Sequence, residues 1–106
     1  MLGAEVVRIW ITNKNGKGVT TSMIESVEDF LSVANQHGCI GSTFAEDDER
    51  IIVYTSWVDE ITLEQFRTSE AYKTKEESII QSFTNSGFSI PEAILFNSTA
   101  KILFSN

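Results

Sequence analysis

Apolar and polar positions alternate over residues 5–12, and β-branched residues are frequent there, so this stretch reads as a strand. Val7, Ile9 and Ile11 fall on one side, Val6, Arg8, Trp10 and Thr12 on the other. The purely aliphatic side suits packing beneath helices. The side mixing an aromatic, a cation and a hydroxyl suits a cavity or a subunit contact. Residues 13–18, Asn-Lys-Asn-Gly-Lys-Gly, have loop composition. Ser22 followed by Glu25 has the capping-box form and opens a helix. Its apolar positions Met23, Ile24, Val27, Phe30, Leu31 and Ala34 repeat with the helical period, and Gly38 stops it as a left-handed cap.

Strands are expected next over residues 39–45 and 50–57. The short acidic connection Glu46-Asp47-Asp48-Glu49 makes them an antiparallel hairpin. Residues 62–84 are mostly helical. Ser69 interrupts the run and caps a second segment, whose stripe continues through Ile79, Ile80 and Phe83. Pro91 cannot sit inside a central strand. Residues 93–97 then read as a strand and residues 101–104 as a short last one. The order β-α-β-β-α-β predicts an α+β fold of ferredoxin-like type, a four-stranded antiparallel sheet with its helices on one face. The open face, expected to carry Trp10, needs a cover. A second copy packed sheet to sheet would supply it and enclose a chamber.

Length and charge narrow the picture. With 106 residues, one domain spanning the whole chain is expected. A domain this small is marginally stable, and association with a copy of itself would relieve that. Eight basic against fifteen acidic residues give a net charge of −7, the wrong sign for a nucleic-acid backbone or an anionic membrane. Cys39 is the sole cysteine, so neither an intrachain disulfide nor a thiolate zinc site is expected. The start Met1-Leu2-Gly3-Ala4-Glu5 lacks a basic segment followed by an apolar run, and cytoplasmic residence is the expectation.

At Gly38-Cys39 and Tyr54-Thr55-Ser56-Trp57 the chain resembles the antibiotic biosynthesis monooxygenase-like domains of the dimeric α+β barrel superfamily. Those domains show a Gly-Cys pair after the first helix and a strand ending in Tyr-Glu-x-Trp. A helix with a His, a Ser and a further aromatic follows. Here Thr55 replaces the usual Glu, Ser69 and Tyr72 fit the Ser and aromatic positions, and Phe66 stands where a His is common. The resemblance spans about residues 5 to 97. It implies a homodimeric dimeric α/β barrel with a pocket between sheet and helices. It also implies a cofactor-independent monooxygenase for a small aromatic, quinol or polyketide-like substrate, with no cofactor and no metal. Haem-degrading relatives ligate iron through a His on the second helix, and Phe66 makes that arrangement unexpected here.

No residue set names a catalytic group. The substrate-pocket candidates are Trp57, Tyr54, Arg8, Trp10, Phe66 and Tyr72. Against three of them stands a packing explanation: a core tryptophan at the strand–helix junction for Trp57, core or interface for Trp10, a packed ring with a hydrogen-bonded tip for Tyr54. A buried Arg8 is costly unless paired, so a structural bridge to a carboxylate of the partner copy competes with steering an anionic or enolate substrate. His37 fits a helix terminus better than a general base. Cys39 reads as a small buried hydrophobe, and the acidic turn as a solvated hairpin. Gly16-Lys17 is no phosphate loop, because Ile11 stands where the first glycine belongs. Two alternatives to the oxygenase follow: a non-catalytic small-ligand-binding or scaffold protein, and an isomerase or lyase needing a base such as His37.

Overall fold

A computed structural model of the chain describes residues 5–104; the expectation read from the first four residues lies outside them. The elements run β1 (Val6–Asn13), α1 (Thr21–Gln36), β2 (Cys39–Glu46), β3 (Arg50–Trp57), α2 (Glu60–Arg67), α3 (Glu70–Asn85), α4 (Ile90–Ala93) and β4 (Phe96–Lys101). The strands form one antiparallel sheet in the order β2-β3-β1-β4. This is the ferredoxin-like arrangement expected from the element order.

The sheet lies the other way up from the expectation. Trp10 meets the α1 residue Phe30 edge to face at 5.4 Å, so Val6, Arg8, Trp10 and Thr12 lie beneath the helices. Val7, Ile9 and Ile11 line the open face. Alternation assigns residues to two sides but does not say which side is covered. Here the larger groups fill the thick layer under the helices, and the compact aliphatics form a flat surface. From β3, Ile51, Val53, Thr55 and Trp57 join the covered side and are all buried. Ile52, Tyr54 and Ser56 point to the open one, as the antiparallel register with β1 requires.

Helix α1 starts two residues before the expected cap. Thr20 accepts from the Met23 amide at 3.2 Å, and its own N–H meets the Met23 sulfur at 3.5 Å. Thr20 Oγ1 also bonds Ser86 Oγ at 2.7 Å, and this tie to the end of α3 favours Thr20 over Ser22. The buried stripe accordingly includes Ser26, while Ile24 is exposed. Ser26 and Ser82 bridge α1 and α3 through hydroxyls 2.7 Å apart. Ser69 caps α3 as expected, accepting from the Tyr72 amide.

The C-terminal region departs most. The two strands expected over 93–97 and 101–104 are one strand, Phe96–Lys101, preceded by the short helix α4. Pro91 sits in the first turn of α4, where its missing N–H is harmless, and Ser89 with Glu92 forms a capping box. Glu92 also receives Lys17 at 3.1 Å and Asn15 at 2.7 Å, pinning α4 to the β1–α1 loop.

Candidate functional site

A cavity of about 250 Å³ lies between the covered face of the sheet, α1, α3 and the α4–β4 segment. Trp10 and Val53 form its floor, and Phe30 of α1 one wall. Tyr72, Glu76, Ile79 and Ile80 of α3 form another, since spacings of three and four place them on one helix face. Ala93, Ile94, Leu95 and Asn97 close the remaining side. The lining is mostly apolar and aromatic, with polar groups at one end.

From the cavity wall inward the aromatic rings form a continuous cluster. Phe30 meets Tyr72 at 5.7 Å, Phe66 meets Tyr72 at 5.4 Å edge to face, and Trp57 lies nearly parallel to Phe66 at 5.4 Å. Trp57 is fully buried, and its Nε1–H donates to Thr55 Oγ1 at 2.9 Å. The Thr55 hydroxyl in turn donates to the Arg8 carbonyl at 3.3 Å. The Thr55 side chain thus satisfies the indole and serves the core.

Of the six candidate residues, Trp10 and Tyr72 line the cavity and Arg8 adjoins it. Phe66 and Trp57 stand one layer behind, and Tyr54 faces away on the open side of the sheet. Arg8 is 6 % exposed. Its Nη1 donates to Thr99 Oγ1 at 2.7 Å and its Nη2 to Asn97 Oδ1, and its guanidinium lies 5.9 Å from the Trp10 ring centre. Within the chain, β4 supplies Arg8 with neutral acceptors. Burial, and then the neighbouring charge of Arg67, lowers the Arg8 pKa.

Tyr72 donates its phenolic proton to Glu76 Oε2 at 2.8 Å. Burial first, and then this carboxylate, pushes the phenol up to about 12. It therefore remains a proton donor at neutral pH. Cys39 is buried, its Sγ donating to the Gly41 carbonyl at 3.1 Å, and burial raises its pKa, which suppresses thiolate reactivity. His37 is exposed at the end of α1, its ring 5.2 Å from Phe66 and outside the cavity lining. In the acidic turn, the Asp47 carboxylate accepts from the Glu49 and Arg50 amides and pairs with the Arg50 guanidinium at 2.7 Å. It is engaged in closing the hairpin. Among the described residues no group of three His, Cys, Asp or Glu side chains is arranged to hold a metal ion.

Glu76, Leu95 and Asn97 were not among the candidate residues. The four-residue spacing from Tyr72 to Glu76 was available as a signal. Leu95 and Asn97 gave none, because their position depends on how α4 lifts the chain from the sheet.

The family model for antibiotic biosynthesis monooxygenase matches residues 7–77. The chain belongs to the antibiotic biosynthesis monooxygenase family. No curated protein sequence matches it. Among solved structures, it is similar to SnoaB, a cofactor-independent oxygenase from Streptomyces nogalater, with a TM-score of 0.67 at 9 % identity, covering 98 % of this chain and 96 % of that one. A Shewanella oneidensis protein gives 0.61 at 16 % identity over 93 % and 91 % of the two chains. A Mycobacterium tuberculosis protein gives 0.64 at 10 % identity over 96 % of each. At these identities the likeness is one of fold. In this antibiotic biosynthesis monooxygenase family member, the matched span contains Trp10, Phe30, Tyr72 and Glu76. The wall formed by Ala93, Ile94, Leu95 and Asn97 lies beyond it. No helix among the described residues is long and apolar enough to cross a membrane.

Proposed function

We propose that this protein is a cofactor-independent monooxygenase acting on a small aromatic or quinol substrate, with the cavity over Trp10 as its active site. The observation that carries the reading is an aromatic-lined cavity with a Tyr72–Glu76 pair in its wall, in a chain of this family. The cavity volume lies just below the range of about 300–1,000 Å³ that accommodates drug-sized ligands. That favours one or two rings over an extended polycyclic polyketide.

In this mechanism Glu76 takes a proton from an acidic C–H or O–H of the bound ring, assisted by exclusion of water from the apolar walls. The substrate carbanion passes its electrons to O₂, and carbon–oxygen bond formation gives a peroxide, which is protonated. Loss of water leaves a carbonyl, so a ring methylene and O₂ become a ketone and H₂O. Tyr72, kept neutral, donates a hydrogen bond to the developing oxyanion as it swings from Glu76. A homodimer paired through the open sheet face, with Tyr54 in the contact, completes the proposed assembly, and the chain acts as one domain.

A second reading, a binding protein without turnover, is favoured by Thr55. Its side chain stands where the resembling domains carry a glutamate, and it is fully committed to Trp57 and the Arg8 carbonyl. An oxygen electrode with substituted one- and two-ring hydroquinones separates the two. O₂ uptake matched by carbonyl product supports the oxygenase. Tryptophan quenching without uptake supports the binding protein, and neither response overturns both.

A further inference from the structure

Arg8 stands outside the cavity lining, yet it grips a residue that belongs to that lining, Asn97. Register sets Asn97 opposite Trp10 and Thr99 opposite Arg8 across the β1–β4 pair, all four on the covered side of the sheet. The guanidinium is held in place from two directions. Its Nη1 donates to Thr99 Oγ1 at 2.7 Å, and it lies 5.9 Å from the Trp10 ring centre. Its Nη2 then donates to Asn97 Oδ1.

That last contact decides which way the Asn97 amide faces. A guanidinium has donors and no acceptor, so only the oxygen of an amide can meet it. Turning the amide over would set its NH2 against the N–H of a buried cation and leave both unmatched. The Asn97 oxygen is therefore committed to Arg8, and the NH2 is committed to the other direction. One of its hydrogens reaches the Leu95 carbonyl at 3.4 Å, the long end of the hydrogen-bond range, and the other has no acceptor among the described residues. The three polar side chains of the lining are Tyr72, Glu76 and Asn97. Tyr72 spends its proton on Glu76, so the donor not already given to another side chain is Asn97. The cavity thus has an acceptor, Glu76, on its α3 wall and a fixed donor on β4.

We infer that Asn97 is a specificity-determining residue of the cavity and that Arg8 is its positioning residue. The amide N–H selects ligands that set an acceptor oxygen against β4 while a hydroxyl meets Glu76 and the ring lies over Trp10. This rests on the reading of the cavity as a ligand site and adds what one of its walls demands. Arg8 acts through Asn97 and touches no ligand. A neutral acceptor suffices, and the carboxylate of Glu76 in the same lining suits a neutral ligand.

The test is a calorimetric titration of the full chain under argon, so that no turnover intervenes. The probes are 6-hydroxy-1-tetralone and 5,6,7,8-tetrahydro-2-naphthol, which share a two-ring skeleton and a hydroxyl and differ in the carbonyl. N97D keeps an acceptor for Arg8 and removes the donor. It should lower the tetralone-to-naphthol affinity ratio roughly three- to tenfold, the worth of one hydrogen bond, with naphthol affinity unchanged. R8M frees the amide to turn over and should lower the ratio by a smaller factor, again with naphthol affinity unchanged. A parent ratio retained in N97D overturns the role of Asn97 and leaves the cavity reading intact. Equal weakening of both probes in N97D also overturns it, because that is the signature of a packing role. A parent ratio retained in R8M overturns the positioning role of Arg8. Binding of neither probe to the parent overturns this inference and the cavity reading together. Should R8M not fold, R8K, which keeps a donor toward Asn97, takes its place and should retain most of the parent ratio; a ratio as low as that of N97D overturns the positioning role.

Discussion

Tyr72 shows how one residue can join the core to the cavity. Its ring packs against Phe30 and Phe66, and its hydroxyl ends on Glu76. Burial disfavours the phenolate, which would also lie beside a carboxylate, so the pKa rises to about 12. The sign for stability follows. An acid whose folded pKa is raised contributes fully below its unfolded pKa, near 10, and the contribution is lost as pH climbs through the folded value. Stability should therefore fall between about pH 10 and about pH 12, by on the order of 2 kcal/mol from this group. Tyr72→Phe should remove that part of the alkaline slope and delete a late phenolate transition in ultraviolet absorbance. An absorbance transition near the ordinary tyrosine value for both phenols would refute the placement of Tyr72.

At the scale of elements, β1 to β3 were legible because apolar and polar positions alternate, and α1 to α3 because of their apolar stripes, whereas the cap of α1 and the α4–β4 segment were not. Ser69 splits α2 from α3 where the sequence indicates. The facing of the sheet was not legible. Residues such as Arg8 and Thr12 look out of place under helices until Thr99 and Asn97, supplied by a strand some ninety residues later, give Arg8 its acceptors. The site was only partly legible for the same reason. Trp10 and Arg8 are legible from their chemistry and Tyr72 from the family resemblance, but the wall at Leu95 and Asn97 depends on tertiary contacts of α4. Gly38 is a case where the local reading suffices. Its φ of +102° lets α1 turn directly into β2, and a Cβ there would fall 2.6 Å from Thr62 Cγ2 of α2. Gly38→Ala should cost roughly 1–3 kcal/mol in urea unfolding, from left-handed strain together with the clash. Adding Thr62→Ala should recover the clash but not the strain. A Gly38→Ala chain as stable as the parent would show that the junction can relax.

For the molecule as a whole, the decisive surface is the open side of the sheet. Register places Phe96, Ile11, Ile52 and Ala45 in one row across four strands, and Ser98, Ile9, Tyr54 and Thr43 in the next. The third row is Ala100, Val7, Ser56 and Gly41. None of these twelve side chains is charged, although the chain carries 23 acidic and basic residues by the counts of 15 and 8. Phe96 is 69 % exposed and Tyr54 37 %, in an apolar patch of the kind that marks a protein contact. The proposed homodimer would bury it, and a sheet packed on its twin would place identical uncharged rows in contact. Trp10, beneath the helices, would take no part. Two copies of net charge −7 repel each other, so added salt should tighten association by screening while the apolar contact persists. The expected result is a dimer by sedimentation at micromolar concentration, more complete at higher ionic strength. Ile9→Glu would place a carboxylate at the centre of the contact, opposite Tyr54, and should give a folded monomer whose helix-side cavity still binds ligand. A parent chain that sediments as a monomer at all salt concentrations would rule out the sheet-to-sheet dimer. Dissociation in Trp10→Ala but not in Ile9→Glu would instead place the contact on the helix side.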